Sequence, residues 1–447
     1  MYKSLSPVLY YLYQFFKGLV LFSFRIFFSR IVVRGKEHLH LDGPAILVCN
    51  HPNTLMDPLN AASRINKVVY FLANAGLFKH PLLGKVLRKL YCIPVERPVD
   101  VQGRRISNEK SFEKCYDFMD EGGCLFIAPQ GGSKMRRHIG QLKTGTARIA
   151  LGAESRNDFG LGVVVLPVGL HYSSPQEFRS KVLINGGEPI QLADYKEIYH
   201  EHPQQAVRKL TQDIKDRMGS LVIDAEDDDA EQVLDQILSL EGAGRPQTFE
   251  QAFDVGQKLA IRTAAWKEKS AAAYDRFRDA GQSYFDELTG SGLSDSVFVS
   301  LQKESESSVA IRSLLALVLL PLFAFCWLHH ALANGLPWLL VKKLNLYKGY
   351  ASNVKVLSGV FTYPIFYGLQ LWLVHRLGGN GLITLAYFGF LLASGAFVSW
   401  YMTDVPALLA ERRARRWARV NPGPFERLME QRRKLVTQLQ EAGLIGS

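Results

Sequence analysis

A histidine followed six residues later by an aspartate, in the stretch HPNTLMDP, is the pair in this chain best suited to moving a proton. His51 comes just after the apolar run AILVC, at the end of a predicted strand, and Asp57 falls in the first turn of the helix predicted from Met56. One regular helix would not align the two, but across a strand-to-helix turn they can meet. An imidazole bonded to a carboxylate is a general-base pair: the acid fixes the tautomer and steadies the imidazolium, while the other nitrogen takes a proton from an alcohol. With 11 histidines in the chain, a nearby aspartate is also what chance supplies, so the motif alone does not decide.

Other strand ends carry groups suited to an anion. Arg97 closes IPVER, where a guanidinium can grip phosphate in a two-pronged contact, although a solvated arginine fits the same place. LFIAPQGGSKMRR sets Gln130, Gly131, Gly132 and Ser133 after a further strand, with Lys134, Arg136 and Arg137 close behind. Paired glycines let backbone N–H groups approach an anion, though such turns are common without one. Lys143, in QLKTGTARIAL, stands just before a helix opened by Gly145. His171, in the strand VVVLPVGLHY, reads as a packed histidine.

These segments lie where short β-rich runs alternate with helical periodicity, the pattern of an α/β layer fold. Strands are predicted at 45–49, 68–72, 91–95, 125–128, 163–170 and 182–184, and helices at 56–64, 81–90, 108–121 and 145–153. One catalytic domain over residues 35–200 holds them. Before it, residues 1–34 mix Tyr and Phe with Lys17, Arg25 and Arg30, which suits a helix lying in the headgroup layer as an interfacial anchor. After it, residues 201–307 read as a soluble helical region. Its run Asp227, Asp228, Asp229 reads as a solvated helix start, because three consecutive side chains cannot face one ion.

Residues 308–403 read as membrane helices, with spans at 356–374 and 382–401 long enough to cross ~30 Å of hydrocarbon. For 313–341, Pro321 and the turn AxxNGLP favour a helical hairpin over a single span. A hairpin keeps Lys342, Lys343, Lys348 and Lys355 on the side of Arg412, Arg413, Arg415, Arg416 and Arg419, in the basic cytoplasmic tail 404–447.

A 447-residue chain with 47% hydrophobic residues excludes disorder as its main state, and apolar ends around a polar middle exclude a uniformly soluble protein. The excess of 53 Lys+Arg over 42 Asp+Glu, a net charge of +11, favours a polyanionic partner. With no zinc-finger spacing or RNP pattern, that partner reads as acidic lipid or a phosphorylated substrate, not nucleic acid. Five scattered cysteines make no disulfide or metal framework, and the run from Leu9 to Ile31 lacks a signal-peptide cleavage site.

In order and co-occurrence, HPNTLMDP, IPVER, APQGGS and VLPV resemble the motif series of the glycerol-phosphate and lysophosphatidate acyltransferase superfamily: His-x4-Asp, a motif ending in Arg, Phe-Pro-Glu-Gly, and a Val-Pro strand. The longer His-to-Asp spacing, Gly-Gly-Ser, LKTGTARIAL, PVGLHY and the C-terminal apolar helices are more similar to one branch. That branch is the glycerol-3-phosphate/dihydroxyacetone-phosphate acyltransferases of fungal type and their bacterial relatives. The resemblance implies an α/β fold with a mixed sheet covered by helices. It implies a fatty acyl group moved from acyl-CoA or an acyl-carrier-protein thioester to glycerol-3-phosphate, dihydroxyacetone phosphate or lysophosphatidate in phospholipid synthesis, with no metal or other cofactor.

Carried over, His51 deprotonates the acceptor hydroxyl, Asp57 orients it, and Arg97, Gly131, Gly132 and Lys143 grip the acceptor phosphate, with Gln130 and Ser133 in the same binding loop. Two departures stand out: Gln130 replaces the family's Glu, and the second motif lacks its opening Gly near Lys89 or Leu90. The alternatives are an acyltransferase for a non-phosphorylated lyso-lipid or amino-acid lipid, and a catalytically silent lipid-binding protein. The expected location is integral to a phospholipid membrane, the inner one in a bacterium, with the catalytic domain facing the cytoplasm.

Overall fold

The computed structural model describes residues 6–79, 91–96, 108–133, 135–242, 247–303, 306–345 and 348–446, together with 81, 84, 85 and 87. It divides into two compact units, Met1–Asp224 with Tyr347–Asn353, and Ala225–Leu346 with Val354–Ser447.

The first unit opens with α1 (Pro7–Phe27), whose N-cap Ser6 accepts the Leu9 N–H at 3.4 Å. This helix buries Tyr13, Phe24 and Phe27 and leaves Val8, Tyr11, Phe15 and Phe22 exposed. The stretch expected as anchor does not stay helical to residue 34. Its end, RIVVR, is a strand, β1 (Arg30–Arg34), because β-branched residues suit the pleated ladder and a partner strand is available.

There follow β2 (Ala45–Cys49), α2 (Met56–Ala62), β3 (Val69–Asn74), β4 (Cys92–Val95), α3 (Glu109–Asp120), β5 (Cys124–Ile127) and α4 (Gly145–Arg156). Then come β6 (Val164–Tyr172), β7 (Lys181–Gly186), β8 (Ile190–Gln191), α5 (Lys196–Glu201) and α6 (Pro203–Gly219). Most of the helix expected over 81–90 lies outside the described residues.

The strands form one mixed sheet in the order β1-β7-β6-β2-β5-β3-β4, with β8 beside β6. β6 is antiparallel to β7 and β8, and the other pairings are parallel. All five residues of β2 are buried, as a central parallel strand covered on both faces requires. Ile46 and Val48 pack with Leu125, Ile127, Met119 and Ile149 in the main core. Val48 is level with both Ile127 and Pro167, so β2, β5 and β6 deliver their carboxyl ends to one edge of the sheet. Sites in open α/β sheets form at that edge.

The second unit is helical: α7 (Asp228–Gly242), α8 (Phe249–Lys269), α9 (Ala271–Gly290), α10 (Asp295–Lys303), α11 (Glu306–Leu344), α12 (Ala351–Arg376, its first three residues belonging to the first unit), α13 (Gly381–Val420) and α14 (Pro422–Glu441). Asp227 accepts the Ala230 N–H at 2.8 Å, so the acidic run does open a helix. The C-terminal segment is no loose tail: Arg432 on α14 pairs with the buried carboxylate of Asp295 at 2.8 Å.

Among the described residues, α11, α12 and α13 are long and apolar enough to cross a membrane. The hairpin expected over 313–341 is absent, since α11 runs unbroken through Pro321 and Pro337. Proline at 337 takes the helical donor away from the carbonyl of Ala333, and the Thr362 hydroxyl supplies another at 3.0 Å. A helix keeps its course through proline when a neighbour satisfies the orphaned carbonyl.

Candidate active site

The loop after β2 is tied down before its chemistry begins. Asn50 donates from Nδ2 to the Leu170 carbonyl at 2.9 Å and accepts the Leu170 N–H at 2.7 Å, carrying the β2–β6 ladder one step past the strand. Next, His51 sets Nδ1 3.0 Å from Oδ2 of Asp57; the ring is 17% exposed and the carboxylate wholly buried.

Asp57 accepts twice more, from the Asn53 N–H at 2.6 Å and from the Tyr172 hydroxyl at 2.7 Å. Burial pushes its carboxyl up from the ordinary range, while the bonds from His51, Tyr172 and Asn53 pull the other way. The Asn53 N–H and the Tyr172 hydroxyl both donate to this carboxylate, as suits its ionised form; an ionised carboxylate only accepts, so its contact with Nδ1 puts the ring proton there and leaves Nε2 its lone pair. No described residue bonds that Nε2.

Tyr172 is fixed in turn by Asn60, whose Nδ2 donates to the phenolic oxygen at 3.3 Å. Burial first, then the Asp57 charge, holds this phenol well above its usual pKa, so it stays a donor. The same two causes hold the thiol of Cys49 protonated.

β5 delivers the second loop. Gln130 accepts the His51 N–H at Oε1 (3.0 Å) and donates from Nε2 to the Ile139 carbonyl at 2.8 Å. A glutamate could do the first but not the second, so here the amide is the side chain that joins both backbones. Gly131 has φ +72°, which glycine adopts without strain, and its N–H turns back to Ala128 at 3.1 Å. A Cβ on Gly132 would meet nothing within 4 Å, so that side of the turn is open. Ser133 accepts the Thr54 N–H at 3.1 Å, joining the two loops again.

Lys143 donates its N–H to Pro129 at 2.8 Å and lays its stem against Gly131, leaving its ammonium exposed. The structure therefore gathers His51, Asp57, Gln130 and Ser133 directly, with Lys143 beside the glycine turn. Arg97 and Lys134 lie outside the described residues. Sequence reasoning missed Tyr172 and Asn60. Tyr172 could have been found, since it ends the strand beside β2 at the same edge.

Next to α2 is an apolar pocket of about 170 Å³, lined by Phe16, Val20, Leu59, Ala62, Phe71 and Tyr91 among others.

Residues 30–171 match the Acyltransferase family model. Over 131 residues the chain is 36% identical to glycerol-3-phosphate O-acyltransferase 2 of Saccharomyces cerevisiae, which is 29% of this chain and 18% of that protein. Over 121 residues it is 30% identical to glycerol-3-phosphate O-acyltransferase 1 of the same yeast, 26% of this chain and 16% of that one. The chain thus spans less than a fifth of the length of these relatives. The crystal structure of the 1-acyl-sn-glycerophosphate (LPA) acyltransferase PlsC from Thermotoga maritima covers 47% of this chain and 82% of its own, at 20% identity and a TM-score of 0.31.

Proposed function

We propose that this protein is a membrane-bound glycerolipid O-acyltransferase, which esterifies glycerol-3-phosphate, dihydroxyacetone phosphate or lysophosphatidate with a fatty acyl group carried as a thioester. The observation that carries the reading is His51, fixed through Nδ1 to a buried carboxylate and open at Nε2, inside a span that matches the acyltransferase family.

In this reading Nε2 takes the acceptor's hydroxyl proton as the oxygen attacks the thioester carbonyl. The C–S bond then breaks, and the departing thiolate recovers the proton from the imidazolium. Asp57 stabilises the imidazolium between the two transfers, and no covalent enzyme intermediate forms. Lys143 and the open turn at Gly131 and Gly132 receive the acceptor phosphate, the role also given to Arg97.

The apolar pocket beside α2 supports an acyl chain as ligand. The exposed apolar face of α1 and the three membrane-length helices support a bilayer location, from which a lipid product can leave without crossing water. The intact His51–Asp57 pair counts against a catalytically silent protein.

The test is acyl transfer by the purified full chain in phospholipid vesicles. Acyl-CoA and acyl-carrier protein are each supplied as donor, and phosphorylated and non-phosphorylated acceptors are compared. Ester formed only on phosphorylated acceptors is expected. Ester formed only on non-phosphorylated ones contradicts the acceptor class, and no transfer to any contradicts the reading.

A further inference from the structure

Between His51 and Asp57, Thr54 has φ +40°, a left-handed backbone that is strained for a β-branched residue. Such a conformation persists only where its surroundings over-determine it. One hold is the bond from the Thr54 N–H to Ser133. The others come from far along the chain. Thr54 Oγ1 donates to the Gly349 carbonyl at 2.9 Å and accepts from Nδ2 of Asn353.

Ser352 donates to Oδ1 of Asn53 at 2.7 Å, and Nδ2 of Asn53 donates to Pro175 at 2.6 Å. Ser352 and Asn53 are wholly buried. Asn53 is also the residue whose N–H holds Asp57. Tyr347–Asn353 belongs to the first unit, although in sequence it joins α11 to α12.

We propose that residues 349–353, the end of the connection from α11 and the first turn of α12, clamp the catalytic loop in its working shape, with Ser352 and Asn353 as positioning residues. Without these bonds Thr54 relaxes toward negative φ and the Asn53 N–H leaves Asp57. The kinetic consequence rests on the acyltransferase reading; the geometry does not. The clamp further requires this connection and the start of α11 at Glu306 to lie on the same face of the membrane as the catalytic domain, so that α11, though long enough to cross the bilayer, does not cross it.

Two experiments on the full-length protein in sealed membrane vesicles test it. Asn345→Cys and Gln141→Cys, each treated with a membrane-impermeant maleimide, should label from the same face. Labelling from opposite faces overturns the clamp whatever the protein's activity.

In the second, Ser352→Ala and Asn353→Ala should raise hydrogen exchange at amides 53–56. They should lower kcat about 10- to 100-fold with acceptor KM nearly unchanged. The acid limb of the kcat profile should also move to higher pH, because a carboxylate that loses the Asn53 donor holds a proton more tightly. The other groups facing that carboxylate, His51, Tyr172 and Cys49, are untouched in these variants. Should Asn353→Ala not fold, Ser352→Ala, which deletes one oxygen, decides alone. Exchange at 53–56 unchanged in Ser352→Ala overturns the clamp. A rise in exchange in the variants, where the wild-type protein shows no acyltransferase activity, overturns the functional reading and leaves the clamp standing.

Discussion

Tyr172 donates its phenolic hydrogen to Oδ1 of Asp57 at 2.7 Å while His51 bonds Oδ2 at 3.0 Å, so the acid is gripped on both oxygens. This fixes the plane of the carboxylate and, through it, the ring that must receive a proton. Replacing Tyr172 with Phe leaves a buried charged group one donor short, a loss of about 1.5–3 kcal/mol. The variant should fold, lose about 10- to 100-fold in kcat, and shift the acid limb of its pH profile upward. A profile superimposable on wild type would show that the phenol is only packing.

Gln130→Glu restores the residue found in related motifs, yet it should lower activity. The carboxylate cannot donate to Ile139, and it sets a negative charge against that carbonyl at 2.8 Å. The expected cost is about 1–3 kcal/mol in stability, with a fall in kcat as the His51 backbone loosens. Thermal unfolding and turnover measured on the same preparation check this, and a faster variant would contradict it.

Lys143→Ala should raise KM for a phosphorylated acceptor about tenfold with little change in kcat, since an exposed ammonium attracts the phosphate in ground state and transition state alike. The difference between variant and wild type should shrink as salt rises. Steady-state kinetics at low and high ionic strength would show it.

Burial first, with the nearby Arg137 charge, lowers the pKa of His171 from 6.5 to about 4. The unfolded chain therefore binds a proton that the folded one refuses, and stability falls as pH drops from about 6.5 to about 4. The loss attributable to this ring is roughly 2–3 kcal/mol. Melting temperature followed from pH 7 downward, roughly to pH 4, should fall more steeply for wild type than for His171→Gln.

Much of the site was legible because strands end where apolar runs end. AILVC, LFIA and VVVLPVGL are continuous enough to be read as strands, which set His51 and the Gln130 loop at strand ends; that these ends share one edge comes from the pairing of β2 with β5 and β6. β1 was hidden because RIVVR continues an apolar aromatic helix without punctuation, and only its pairing with β7 separates the two. The unbroken α11 was hidden because proline reads as a stop. The Thr362 hydroxyl that lets the helix pass lies on another helix. Ser352 was illegible for the plainest reason: it meets Asn53 across 299 positions, and an isolated serine has no pattern to announce it.

Acyl transfer by the full chain with His51→Ala, compared with wild type in the same vesicles, tests the central claim most directly. Loss of a general base costs about 100- to 10,000-fold. The expected result is a fall of that size with an unchanged melting temperature. Ester formation at the wild-type rate would contradict the account.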